Sequence, residues 1–127
     1  MTAAMVDTSC LVAIAFAEAQ AARTTARLRR FDRLFASALV EAELLAAFRR
    51  ERVDADLSSL TGDLALVSPE RPLRAELRRA ADAGYLRGAD LWHLACALYL
   101  SPDPREITFL TLDARQRTVA RHLGFGV

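Results

Sequence analysis

Hydrophobic and polar positions along this chain follow two periods: short apolar runs rich in β-forming residues are separated by longer segments whose apolar residues recur at helical spacing. Such alternation is the pattern of a parallel α/β sheet crossed by helices. Ala3-Ala4-Met5-Val6 reads as a first strand buried on both faces. Thr8 or Ser9 then caps a helix continuing through Leu11, Val12 and Phe16, which leaves Asp7 at the strand's end. A polar helix near residues 19–30, a strand at Leu34–Ser37 and a helix over Leu39–Arg52 come next. Residues 53–63 read as a short helix or loop ending at Gly62, Leu64–Ser68 as a strand, and Glu70–Ala83 as a helix opened by the Pro69 and Pro72 region.

Gly84 and Gly88 bracket a turn into the most apolar helix, Ala89–Leu100, which Pro102 and Pro104 prevent from continuing. Ile107–Thr111 is strongly β-prone, Asp113 opens a last helix to Leu123, and Gly124 ends it. Phe125–Val127 is expected to add a final edge strand.

With 127 residues, 53% of them hydrophobic and 26% charged, the chain has the balance of one globular domain spanning 1–127. It contains no repeat, low-complexity tract or linker. The N-terminal residues lack the basic stretch and apolar run of a secretory signal, and no segment approaches the ~20 apolar residues of a membrane span. A cytoplasmic protein without membrane attachment is the expectation.

The formal charge of +1 conceals a one-sided choice of base, since all seventeen basic residues are Arg. Without Lys there is no P-loop, Schiff-base or receiver-domain lysine, which removes Walker-type triphosphate hydrolysis and two-component signalling. Cys10 and Cys96 stand apart from any zinc-ligand spacing and sit among apolar residues, as buried inert thiols do.

The candidate chemistry lies in the carboxylates. At about 100° per residue, Leu39, Val40, Leu44 and Ala47 form one helical stripe, and Glu43 falls inside it while Glu41 points aside. A charge in an apolar stripe is costly unless compensated, by a buried Arg or by a ligand. Asp90 begins the helix whose apolar positions are Leu91, Leu94, Ala95 and Leu98; Asp113 begins the last helix. A first-turn Asp is explained by helix capping and dipole alone, so neither speaks for function by itself. Asp7 has less of that defence. Open α/β sheets bind ligands at the carboxyl edge of their strands. Four acids meeting there would repel one another unless a divalent cation neutralised them, and hard oxygen ligands suit Mg²⁺ or Mn²⁺.

The stretches Met5-Val6-Asp7-Thr8-Ser9, Ser37 to Leu45, Asp90-Leu91-Trp92-His93-Leu94-Ala95 and Leu110-Thr111-Leu112-Asp113 together resemble PIN-domain ribonuclease toxins of the VapC type. The resemblance covers nearly the whole chain, in the family's order and approximate spacing. It implies a three-layer α/β/α fold with a central, mostly parallel sheet. It further implies a Mg²⁺- or Mn²⁺-dependent endoribonuclease, the toxin of a type II toxin–antitoxin system, inhibited by a cognate antitoxin and dimeric with itself. Asp7, Glu43, Asp90 and Asp113 take the family's acidic metal positions, with Thr8, Ser9 and Thr111 in support. The last motif carries one clear acid, which leaves a second metal position poorly supplied.

His93, three residues after Asp90 on an apolar helix, could be a phosphate contact or a metal ligand, but it reads first as a structural histidine, held by packing or by an Asp partner. Trp92 reads as core or dimer surface, and His122 has no role. Arginine groups at Arg27, Arg29, Arg30 and Arg33, at Arg49, Arg50 and Arg52, and at Arg78 and Arg79 offer phosphate contacts, although most charge runs are solvated faces. Two rivals remain. One is another acid-site phosphohydrolase with a strand-end Asp nucleophile, which would want a second Asp where Ser9 stands. The other is a catalytically silent PIN-like interaction module.

Overall fold

The computed structural model describes residues 2–127. Its centre is a four-stranded sheet built from β1 (Ala3–Val6), β2 (Arg33–Ser37), β3 (Ala65–Val67) and β4 (Thr108–Leu110). The strand order is β3-β2-β1-β4 and every pairing is parallel. Among the described residues six α-helices connect the strands and a seventh follows the last: α1 (Thr8–Ala15), α2 (Ala21–Leu28), α3 (Leu39–Glu51), α4 (Leu57–Thr61), α5 (Arg74–Ala83), α6 (Gly88–Leu100) and, after β4, α7 (Ala114–Leu123). The expected three-layer α/β/α architecture with a parallel sheet is present.

Two apolar clusters fill the space between the layers. Met5, on one face of β1, packs with Leu94, Leu98, Phe109 and Val119 under α5, α6 and α7. Ala4 and Val6, on the opposite face, pack with Leu11, Val40, Leu44 and Phe48 under α1 and α3. Side chains on a strand alternate sides, so a central strand with helices on both faces must be apolar throughout. That is why AAMV carries no polar residue. Leu44 is fully buried, and its truncation to Ala would cost about 2–5 kcal/mol.

Several expected boundaries shift for local reasons. The cap of α1 is Asp7, not Thr8 or Ser9: Asp7 keeps extended backbone angles, and its carboxylate accepts the Ser9 amide at 3.0 Å. Helix α2 is shorter than residues 19–30, and Thr24 is its one buried residue. Helix α3 stops at Glu51 because Arg52 turns left-handed at φ 54°, ψ 40°. Helix α5 starts at Arg74 instead of Glu70, since the residue before Pro72 is steered away from helical angles. Residues 125–127 form no strand; Gly126 makes a single parallel bridge to Thr108.

Gly124 ends α7 at φ +106°, a conformation that suits glycine, and the chain then turns back so that Phe125 is buried. Among the described residues no helix is long and apolar enough to cross a membrane.

Candidate active site

β1 and β4 are neighbours, so the residues following them meet at one edge of the sheet. The Asp7 amide donates to the Leu110 carbonyl at 2.9 Å, which sets Asp7 beside Thr111. Asp7 is 4% exposed. Besides the Ser9 amide, its carboxylate accepts the Gln116 side-chain amide at 3.2 Å, and the Thr111 hydroxyl lies 3.4 Å away. Thr111 gives its proton to Gln116 Oε1 at 2.6 Å, while Ser9 Oγ stands 3.2 Å from Thr111 Oγ1 and accepts the Leu112 amide at 3.0 Å. Gln116 also donates to the Asp90 carbonyl at 3.3 Å. One buried amide thus ties β1, β4, α6 and α7 together, with its donor and acceptor atoms both used.

Glu43 reaches the same edge from α3. Its Oε1 accepts the Thr8 hydroxyl at 2.7 Å and His93 Nε2–H at 2.5 Å. His93 Nε2 is also 3.9 Å from Asp7 Oδ1. With a carboxylate facing Nε2, that nitrogen carries the proton; Nδ1 is buried without a partner. The hydrogen bond from His93 holds the Glu43 carboxyl below its usual range, against the opposing effect of burial, and Thr8 and the His93 charge add to the lowering. For His93, burial is the largest influence and disfavours the imidazolium. The hydrogen bond to Glu43 and the charges of Asp7, Glu43 and Asp90 outweigh it, so its pKa stands above the ordinary value.

Asp90 sits in the first turn of α6, yet no side chain caps that helix. Its carboxyl is pushed above the ordinary range, first by burial and then by the charges of Asp7 and Asp113, with Glu43 adding to them and His93 opposing. Asp113 caps α7, accepting the Gln116 amide at 2.8 Å. Asp90 and Asp113 line a cavity of about 270 Å³ together with Leu86, Arg87 and Arg115. Among the described residues none of the four acids forms an ion pair with an arginine.

Four carboxylates in no ion pair with an arginine, one of them pushed above its ordinary range by burial and by its acidic neighbours, are a donor set that fits a hard divalent cation. The set is open in this structure: among the described residues no three His, Cys, Asp or Glu side chains stand close enough to form a ready-made metal cage.

A family model described as PIN domain matches residues 4–122. The chain belongs to the PIN-domain family. No curated protein and no solved structure matches it significantly. The PIN fold is a nuclease-like fold, and the acidic edge described above lies wholly within the matched residues.

The PIN core therefore brings Asp7, Thr8, Ser9, Glu43, Asp90, Thr111 and Asp113 to one edge, although as neighbours in a field of charge and not as a closed cluster. Two further participants escaped the sequence. Gln116 is fully buried, and the signal was available: it stands one turn before Val119 and Ala120 on the inward stripe of α7, as Glu43 does on α3. His93 is buried as expected of a structural histidine, and Asp7 lies 3.9 Å from it, but its nearer partner is Glu43 from another helix, which the sequence did not pair with it. Trp92 is half-buried against the cluster under α5, α6 and α7.

Proposed function

We propose that this PIN domain is a divalent-metal-dependent endoribonuclease, using Mg²⁺ or Mn²⁺, and the toxin half of a type II toxin–antitoxin pair in the cytoplasm. The observation that carries the nuclease reading is the convergence of the acids: Asp7 after β1, Glu43 on α3, and Asp90 and Asp113 around one cavity come to the carboxyl edge of the sheet, and among the described residues none of the four is in an ion pair with an arginine. An uncompensated group of acids is a standing cost to the fold, and sites that bear such a cost are typically functional. The toxin reading is supported by the order and spacing of the four motif stretches from Met5 to Asp113.

In this reading Asp7 and Asp90 would hold the cation, and Glu43 and Asp113 would flank it, directly or through water. A bound divalent ion supplies acidity to a water molecule and neutralises charge developing on the phosphate. The chain's own work is positional. Gln116 and the Ser9 amide aim the Asp7 carboxylate, leaving its remaining lone pairs turned to the edge. Thr8 and His93 fix one oxygen of Glu43 and leave Oε2 free of hydrogen bonds among the described residues. Asp113 holds the start of α7 against the cavity in which a phosphodiester would lie. A cognate antitoxin and a second copy of the chain are the partners this reading entails.

A catalytically silent interaction module is the second reading, and the engagement of Glu43 by His93 in an open acidic set favours it. Incubating single-stranded RNA with the purified protein in Mn²⁺, in EDTA, and with an Asp90→Asn variant separates the two. Cleavage restricted to wild type with Mn²⁺ supports the nuclease; intact RNA in all three, with no Mn²⁺ binding by calorimetry, leaves the silent module.

A further inference from the structure

A second cavity, of about 370 Å³, adjoins the acidic edge on the side of α2 and shares Thr111 with it. Three arginines line it: Arg23 and Arg27, one turn apart on α2, and Arg117 on α7. No acidic side chain lines it, and among the described residues none of the three guanidinium groups is in an ion pair. Arg117 is oriented by a hydrogen bond to the Thr111 carbonyl at 2.8 Å. Buried Cys10 forms part of the wall, between the arginines that α2 and α7 bring to the same cavity.

Positive charge gathered without an internal partner is repulsive and is tolerated most easily when an anion completes it. From this geometry we infer that the cavity is a phosphate-binding subsite, which seats a backbone phosphodiester of the nucleic acid next to the one at the acidic edge. The inference deepens the nuclease reading and rests on it. Thr111 separates the two places: its hydroxyl faces Asp7, and its carbonyl orients Arg117. A strand whose scissile phosphate lies over the acids would place a neighbouring phosphate toward the arginines on the far side of Thr111. Guanidinium forks match the paired non-bridging oxygens of a phosphodiester, which several arginines can share from different sides.

The test measures binding of a short fluorescein-labelled single-stranded RNA in EDTA, by anisotropy across a salt series. It uses wild type, Arg23→Ala/Arg27→Ala, and the charge-matched control Arg74→Ala/Arg121→Ala on α5 and α7. All four positions are exposed on helices, where Ala is well tolerated. The α2 double variant is expected to bind about tenfold more weakly or worse. Its slope of log affinity against log salt should fall by roughly 0.7, one phosphate on a single strand, while the control retains both. Equal losses in the two double variants, no loss in either, or no RNA binding by wild type would each overturn the subsite. So would tighter binding of a poly-glutamate peptide than of the RNA, which would assign the cavity to a protein partner. Cleavage in Mn²⁺ is scored separately. An RNA-binding cavity in a protein that cleaves nothing refutes the nuclease and keeps the subsite, whereas cleavage with an unchanged KM in the α2 variant does the reverse.

Discussion

His93 and Glu43, 50 residues apart on α6 and α3, meet at 2.5 Å across the carboxyl edge of the sheet. The bond joins helices that belong to opposite layers, over the end of the central strand. Replacing His93 with Ala leaves Glu43 short of its main partner and opens a hole in the tightly packed middle of α6. We expect a loss of about 1–3 kcal/mol in urea unfolding. A change within error would mean that the pair merely accompanies the packing.

Glu43 and Glu41 provide an internal comparison. Both are on α3 and half-buried, but Glu43 alone reaches Thr8 and His93. Glu43→Gln should lower RNA cleavage by about a hundredfold, whereas Glu41→Gln should leave it within about twofold of wild type. Equal effects, measured as kcat/KM on the same RNA, would refute the assignment of Glu43.

Asp90 offers a prediction of opposite sign for stability and activity. At neutral pH its charge is disfavoured by burial and repelled by Asp7, Asp113 and Glu43. Asp90→Asn should therefore stabilise the metal-free protein, by up to about 1 kcal/mol in urea, while abolishing cleavage. Destabilisation by the substitution would show that the acids are not in conflict.

Much of this architecture was legible in the sequence, and the reasons are local. Parallel strands covered on both faces must be apolar runs, so Ala3–Val6 could be placed to the residue. Glu43 was visible because one carboxylate interrupted an otherwise regular stripe. Asp7 was harder, since the single residue between β1 and α1 serves as the helix cap, and the sequence offered Thr8 and Ser9 as better caps. The segment after Arg52 was obscure for a different reason. Its helix α4 has only five residues and is fixed by Asp56, whose carboxylate accepts the Ser58 amide at 3.1 Å, too little periodicity to read. Gln116 was overlooked because a neutral amide raises no alarm in a charge-based search, although burying one costs free energy in the same way.

The Gln116 bridge is itself testable. Gln116→Leu removes a donor from Asp7 and the acceptor of the Thr111 hydroxyl, and we expect it to cost about 1–3 kcal/mol. Gln116→Glu should cost more, because it sets a second carboxylate against buried Asp7, and Asp7→Asn should recover part of that added loss. A double-mutant cycle in urea with no coupling would refute direct contact between them.

The thiols predict a pH dependence. Burial is the main cause that pushes Cys10 up to about 12 and Cys96 up to about 11, from 9.0. The unfolded chain then loses these protons first, so stability should be unaffected below pH 8 and fall as pH rises through 9 toward the folded values. Chemical denaturation between pH 8 and pH 10.5 should show a shallower decline for Cys10→Ala than for wild type (pH values about as given). Parallel declines would show that the thiol is not buried in solution.

Asp7 closes the open amides of α1 and also sits at the heart of the acidic edge, so one side chain carries both architecture and chemistry. Any inactive variant made at this position is consequently ambiguous: a silent assay can report a frayed helix as readily as a missing ligand. Asp90 caps nothing, which makes it the cleaner place to disarm the protein while keeping its shape for crystallisation or partner capture.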